Sequence, residues 1–296
     1  MTSGEQGFLL LTSFLGDPER KPLSIAQFRE LTKKARLMDN PNMDRELTLA
    51  DLQRIGCNRQ IAERILKLLS QKEQMQWYLQ QGRKKDCFPI TRTADRYPQR
   101  LRSCLNVEAP GTIWTKGDRE LLKAPGVALV GSRDLLDKNR EFAYEVGLQA
   151  ARQGYVLISG NARGADRTAQ DSCLEHGGAV ISVVADELEK HPLRENVLYL
   201  SEDGFDLRFT AQRALKRNRV IHALGEKTFV AQCAFGKGGT WDGTCKNLQN
   251  GWSPVFCFHD GSKAALELEC LGATLLTCSD LTDFVALQGR FASFMK

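Results

Sequence analysis

Residues 126–133 read GVALVGSR, an apolar run that stops abruptly at Gly131, Ser132 and Arg133. Val127 to Val130 is too short and too β-branched for a helix and suits a strand buried on both faces of a sheet. The residues that end it have the makings of a phosphate-sized turn. Gly131 has no Cβ to hold an anion off the backbone, Ser132 offers a hydroxyl, and Arg133 offers a planar fork matched to two phosphate oxygens. The helical stretch that follows aims its N-terminal N–H groups at the same point. Alone, the pattern also fits a tight strand-to-helix turn with a solvated arginine, so the rest of the chain has to decide.

Downstream, helical patterns alternate with apolar runs at 155–159, 179–184, 228–233 and 254–258, and upstream Cys87 to Thr91 and Thr112 to Thr115 read as short strands. Strands alternating with helices predict an α/β fold, a mainly parallel sheet with helices on both faces. Ligands of such sheets collect at the carboxyl ends of the strands. Two further loops at that edge are rich in glycine and cation. One is 159–166, SGNARGAD, with Ser159, Gly160, Arg163 and Gly164 entering a new helix. Asp166 either holds an arginine of the site in place or caps and complements its own helix. The other is 236–244, GKGGTWDGT, which offers Lys237, Gly238, Gly239 and Thr240. Phe235 and Trp241 beside it are read as packing, with base stacking the lesser alternative. Three such loops at one edge point to an extended anion.

The segment 207–225 carries Arg208, Arg213, Lys216, Arg217 and Arg219 with no acidic residue between Asp206 and Glu226. A basic run is ordinarily a solvated helix face. Arg213 and Arg217 lie at i, i+4 and repel unless an anion joins them, so a phosphate chain explains the cluster better. Asn218 is read as a brace for the loop.

The whole chain of 296 residues is 42% hydrophobic with a formal charge of +5, enough for a sizeable core and permissive of an anionic partner. Its nine cysteines contain no CxxC pair, which suits free thiols in a reducing cytoplasm. Cys173 and His176 share a helix face without a second ligand pair nearby and are read as a core thiol beside a surface imidazole. Phe8 to Leu15 has no basic segment before it and acids after it, so neither a signal peptide nor a membrane span is expected.

The first eighty or so residues read as helices. Ser24 with Gln27 has capping-box spacing ahead of Phe28, Leu31 and Ala35. Thr48 opens a segment that stops at Gly56, and Asn58 opens one with the stripe Ile61, Ile65, Leu68 and Leu69. These predict a small bundle over 1–83, ahead of the α/β domain over 84–296. No winged helix is expected after residue 290.

Taken together, GVALVGSR, SGNARGAD, the LYLSED stretch and KRNRVIHAL resemble, in order and spacing, the DNA-processing protein A (DprA, or Smf) family, and the likeness runs over nearly the whole chain. The resemblance implies a helical N-terminal domain and a Rossmann-like domain that binds single-stranded DNA. It further implies a role in natural transformation, protecting incoming strands and loading a RecA-type recombinase; a homodimer is compatible with it. Carried over by position, it implicates Gly131, Ser132 and Arg133, then Ser159, Gly160 and Arg163, then Lys216, Arg217, Asn218 and Arg219. The chain departs from the family at Gln170, where a histidine is usual, in a shorter stretch between Asp186 and Leu200, and in the GKGGTWDGT loop.

No catalytic residue, cofactor or metal is assigned. The competing reading is a nucleotide sensor or phosphoribohydrolase-like enzyme, whose GGxGTxxE loop residues 238–244 resemble without the glutamate. A nicotinamide dehydrogenase is set aside because the first turn lacks GxGxxG.

Overall fold

The computed structural model describes residues 1–36 and 46–289, so the stretch after residue 290 lies outside the described residues. The chain opens with α1 (Ser3–Thr12), α2 (Ile25–Ala35), α3 (Leu49–Arg54), α4 (Arg59–Leu69) and α5 (Lys72–Lys84). Then come β1 (Phe88–Thr91), α6 (Gln99–Leu105), β2 (Thr112–Gly117), β3 (Gly126–Val130), α7 (Asp137–Arg152), β4 (Val156–Ser159) and α8 (Ala165–Glu175). The chain continues through β5 (Ala179–Val183), β6 (Val197–Glu202), α9 (Ala211–Leu224), β7 (Lys227–Val230), α10 (Gly239–Asn250), β8 (Val255–Phe258), α11 (Lys263–Cys270) and β9 (Thr274–Leu276).

The helical starts fall where the capping chemistry put them. Ser24 and Thr48 close reciprocal capping boxes with Gln27 and Asp51, and the Asn58 side chain accepts from the Ile61 N–H. The apolar stripe of α4 runs through Ala62, Ile65 and Leu68, which pack with Leu11, Leu23 and Leu52; Ile61, expected in the stripe, is exposed instead. The helices do not stand apart from the sheet. Leu9, Leu10, Met75 and Tyr78 share a core with Trp114, Tyr199 and Phe205, and the Tyr78 hydroxyl donates to Asp206 at 2.6 Å.

The strands form one sheet in the order β1-β2-β6-β5-β4-β3-β7-β8-β9. Strands β3 to β9 run parallel, and β1 and β2 add an antiparallel pair at the β6 edge. Helices cover both faces, as expected, and β3 shows why. Val127 and Leu129 pack under Phe142, Val146 and Ala169 of α7 and α8, while Ala128 and Val130 pack under Val220 and Ile221 of α9. Every residue of β3 is buried, which is what a β-branched run between two helical layers achieves. Strands β6 and β9 go beyond the runs read as strands: β9 is only three residues long, and β6 was marked by its motif alone.

The chain leaves β3 toward β4 on one side and returns through α9 to β7 on the other. That reversal opens a crevice at the carboxyl end of β3, where doubly wound sheets hold ligands.

Candidate nucleic-acid interface

Two adjoining cavities occupy the crevice. The larger, about 490 Å³, is lined by Gly131, Ser132, Arg133, Asp166, Arg217, Asn218 and Lys237 to Thr240. The smaller, about 310 Å³, is lined by Gly160 to Arg163, Asp186, Arg133 and Arg217. The three glycine-rich loops therefore converge, although they lie far apart in sequence.

The loops are bolted to one another. Thr240 donates from Oγ1 to the Gly131 carbonyl at 3.0 Å, the Ser132 N–H donates to the Gln232 carbonyl at 2.9 Å, and the Ala165 N–H donates to the Ser132 carbonyl at 3.1 Å. These contacts correct the reason given for the glycines. A Cβ at Gly131 would meet the Ala165 methyl, one at Gly160 would meet the Arg217 guanidinium, and one at Gly164, whose φ is +86°, would meet the Ser132 and Arg133 carbonyls. At Gly239 and Gly243, one turn apart on α10, it would crowd Asn218 of α9. These glycines let protein approach protein, and the anion-facing surface is left to side chains and free N–H groups.

The cations differ in their freedom. Arg133 and Lys237 are exposed, and among the described residues neither side chain has a hydrogen-bond or ion-pair partner. Arg163 pairs with Asp134 at 2.7 Å, both largely exposed, a pairing that water weakens. Arg217 is buried, donates to the Val183 carbonyl and faces both cavities. Burial lowers its pKa from the ordinary arginine value while Asp166 opposes the shift. Asp166 is raised by its own burial and held down by Arg217 and by the N–H of Ala162, which it accepts at 3.1 Å. Asp166 thus supports an arginine of the site and, from the first turn of α8, complements its own helix dipole, but it makes no capping hydrogen bond, its oxygen being taken by the loop N–H of Ala162. Asn218 donates to the Gly239 carbonyl at 3.1 Å, the bracing role expected of it.

The other expected contributors stand elsewhere. Ser159 is fully buried, and its hydroxyl accepts from Gln170 at 2.6 Å, so it supports the floor rather than facing a ligand. Lys216 and Arg219 point away from the crevice toward the end of β6. Arg219 makes a fork on Glu202 at 2.6 and 2.9 Å, and Lys216 contacts Asp203 at 2.8 Å and Glu202 at 3.5 Å. Burial works to lower both cations, and the two acids outweigh it, so both are held above their ordinary values. The basic run is therefore not unpaired. Its counter-charges come from the end of β6 and the turn after it and cannot be seen in the run itself. Asp186, Asn161 and Phe209 line the crevice without having been singled out; Phe209, an aromatic amid arginines, was the readable sign.

All nine cysteines are free thiols. Among the described residues no cluster of histidine, cysteine and carboxylate stands close enough to hold a metal ion, and no helix is long and apolar enough to cross a membrane.

Comparison with known proteins bears on this geometry. The DNA processing protein DprA of Streptococcus pneumoniae is 30% identical over 177 residues, 55% of this chain, and that of Bacillus subtilis is 27% identical over 156 residues, 49% of this chain. The chain spans 59% and 51% of the length of these two relatives. The crystal structure of the S. pneumoniae protein superposes with a TM-score of 0.67 at 25% identity, covering 90% of this chain and 99% of that one. DNA processing protein A of Helicobacter pylori, described by its single-stranded DNA binding mode, superposes with a TM-score of 0.57 at 21% identity over 67% of this chain and 95% of that one. The family model of DNA recombination-mediator protein A matches residues 89–280, from β1 to the turn after β9. The chain belongs to the DNA recombination-mediator protein A family.

Proposed function

We propose that this protein is a non-catalytic binder of single-stranded DNA that protects incoming strands and assists a RecA-type recombinase in DNA uptake and recombination, working in the cytoplasm and as a homodimer. On this reading residues 1–83 form a helical domain and residues 84–296 the binding domain. The observation that carries the proposal is the crevice itself. Arg133, Arg163, Arg217 and Lys237 gather there against Asp166 and Asp186, and among the described residues the side chains of the two outermost cations, Arg133 and Lys237, have no hydrogen-bond or ion-pair partner. A surplus of free positive charge over an open groove is the footprint of a phosphate backbone. Relatives described as DNA processing proteins are consistent with it. A phosphoribohydrolase is disfavoured by the third loop, where the acidic side chain, Asp242, turns away to pair with Lys246 at 2.9 Å.

Titration with a labelled single strand, a duplex of equal length and mononucleotides tests the proposal. The expected result is tightest binding to the single strand, rising with length, with mononucleotides failing to compete. Saturable mononucleotide binding with no gain from length contradicts it.

A further inference from the structure

The two cavities share Arg133, Ala162, Arg217 and one aromatic side chain, Phe209. Phe209 is 53% exposed and has no aromatic ring partner among the described residues. The other aromatics of this edge are engaged. Trp241 packs against the core and meets Phe235 edge-on at 5.1 Å, and the Lys263 ammonium covers the Phe235 ring at 4.2 Å. The open aromatic face belongs to Phe209.

A lone exposed phenylalanine needs no explanation in itself, but the backbone under this one is held in place. Arg213 donates to the carbonyls of Ala185 at 2.6 Å, Leu207 at 2.7 Å and Arg208 at 3.0 Å, and to the Ser201 hydroxyl at 3.1 Å. Thr210, the next residue, caps α9 by accepting the Arg213 N–H at 3.1 Å. One half-buried arginine thus staples the segment that presents the ring to β5 and β6. Fixing the segment in advance lowers the ordering cost that a ligand would otherwise meet.

Both volumes lie in the range of about 300–1,000 Å³ usual for small-ligand sites. Two guanidinium groups common to both suit an anion that links the two occupants. We infer that the crevice takes a dinucleotide step, the linking phosphate at Arg133 and Arg217 and a base stacked on Phe209, with Arg213 as the positioning residue. The inference rests on the single-strand reading and adds to it a demand for bases as well as phosphates. Base–aromatic stacking is sequence-tolerant, because every base has a π-face.

The test compares the full chain with Phe209→Ala and Phe209→Trp on two probes of equal length, an oligothymidylate and an abasic strand. The parent should prefer the oligothymidylate by about tenfold, the size of one stacked base. Phe209→Ala should bind the oligothymidylate about tenfold more weakly, bind the abasic strand like the parent, and keep the parent's salt dependence, since no charge is removed. Phe209→Trp should restore the preference. If Phe209→Ala keeps the parent's preference while Arg133→Ala loses affinity for both strands, stacking at Phe209 is wrong and the DNA-binding reading survives. If the parent binds neither strand, both fall.

Discussion

The two faces of α9 carry similar charges to opposite ends. Toward the crevice, Arg217 is sealed against the Val183 carbonyl and Asn218 braces the third loop, leaving the guanidinium edge open to two cavities. Away from it, Lys216 and Arg219 are met by Glu202 and Asp203 of β6 and its following turn. Adjacent residues of one motif thus divide into a ligand-facing set and a set that fastens α9 to the sheet. Charge counted along a sequence is not charge available in space.

The division can be broken first at Arg217. Removing it takes from buried Asp166 the larger of the two arginine charges that hold it down, Arg133 being the other, and breaking a buried pair costs about 3–5 kcal/mol, so Arg217→Ala should lower the urea midpoint sharply. A change below about 1 kcal/mol would show that Asp166 does not depend on it. Arg219→Ala is the counterpart on the other face. Because Lys216 stays within 3.5 Å of Glu202, the loss should be near the lower end, about 3 kcal/mol. The affinity of the folded variant for single strands should not change. Weaker binding at full stability would move Arg219 back into the site.

The last turn of α9 sharpens the comparison, being committed to the core altogether. His222 is fully buried among Thr228, Asn247 and Ser253, and burial pulls its pKa from 6.5 to about 3. The unfolded chain takes up a proton near pH 6.5 and the folded chain does not until about 3. This contribution is therefore complete above 6.5 and lost as the pH falls, by up to about 1.4 kcal/mol per pH unit for one proton. Denaturation between pH 7 and 5 should show that slope, and His222→Gln should flatten it. An unchanged slope in the variant would place the proton elsewhere.

Arg133→Ala carries a smaller expected energy than the Arg217 variant and the most specific effect. A charge-assisted phosphate contact contributes about 1.5–3 kcal/mol, so single-strand affinity should fall by roughly tenfold or more with the urea midpoint held. An unaltered isotherm would remove Arg133 from the interface.

Much of this was legible in the chain. Strand β3 was readable because four apolar residues before a glycine leave no room for a helix, and α2 to α4 because their caps are local chemistry. The convergence of the three loops followed from strand and helix alternation, since parallel strands put every βα loop at one edge. What could not be read depends on distant partners. Glu202 and Asp203 precede the basic run and meet it because the chain turns back after β6 and lays α9 across its end. Gly131 was marked as a position where an anion approaches the backbone, but the group that approaches it is the Ala165 methyl of the same chain.

The salt dependence of single-strand binding tests the division most directly. Each phosphate neutralised on a single strand adds about −0.7 to the slope of log affinity against log salt. Arg133→Ala combined with Lys237→Ala should make the slope shallower by about 1.4, while Lys216→Gln, which removes a charge already met by Asp203 and Glu202, should leave it unchanged. A parental slope in the double variant, or a shift of about 0.7 in Lys216→Gln, would contradict the assignment of the crevice as the face that meets DNA.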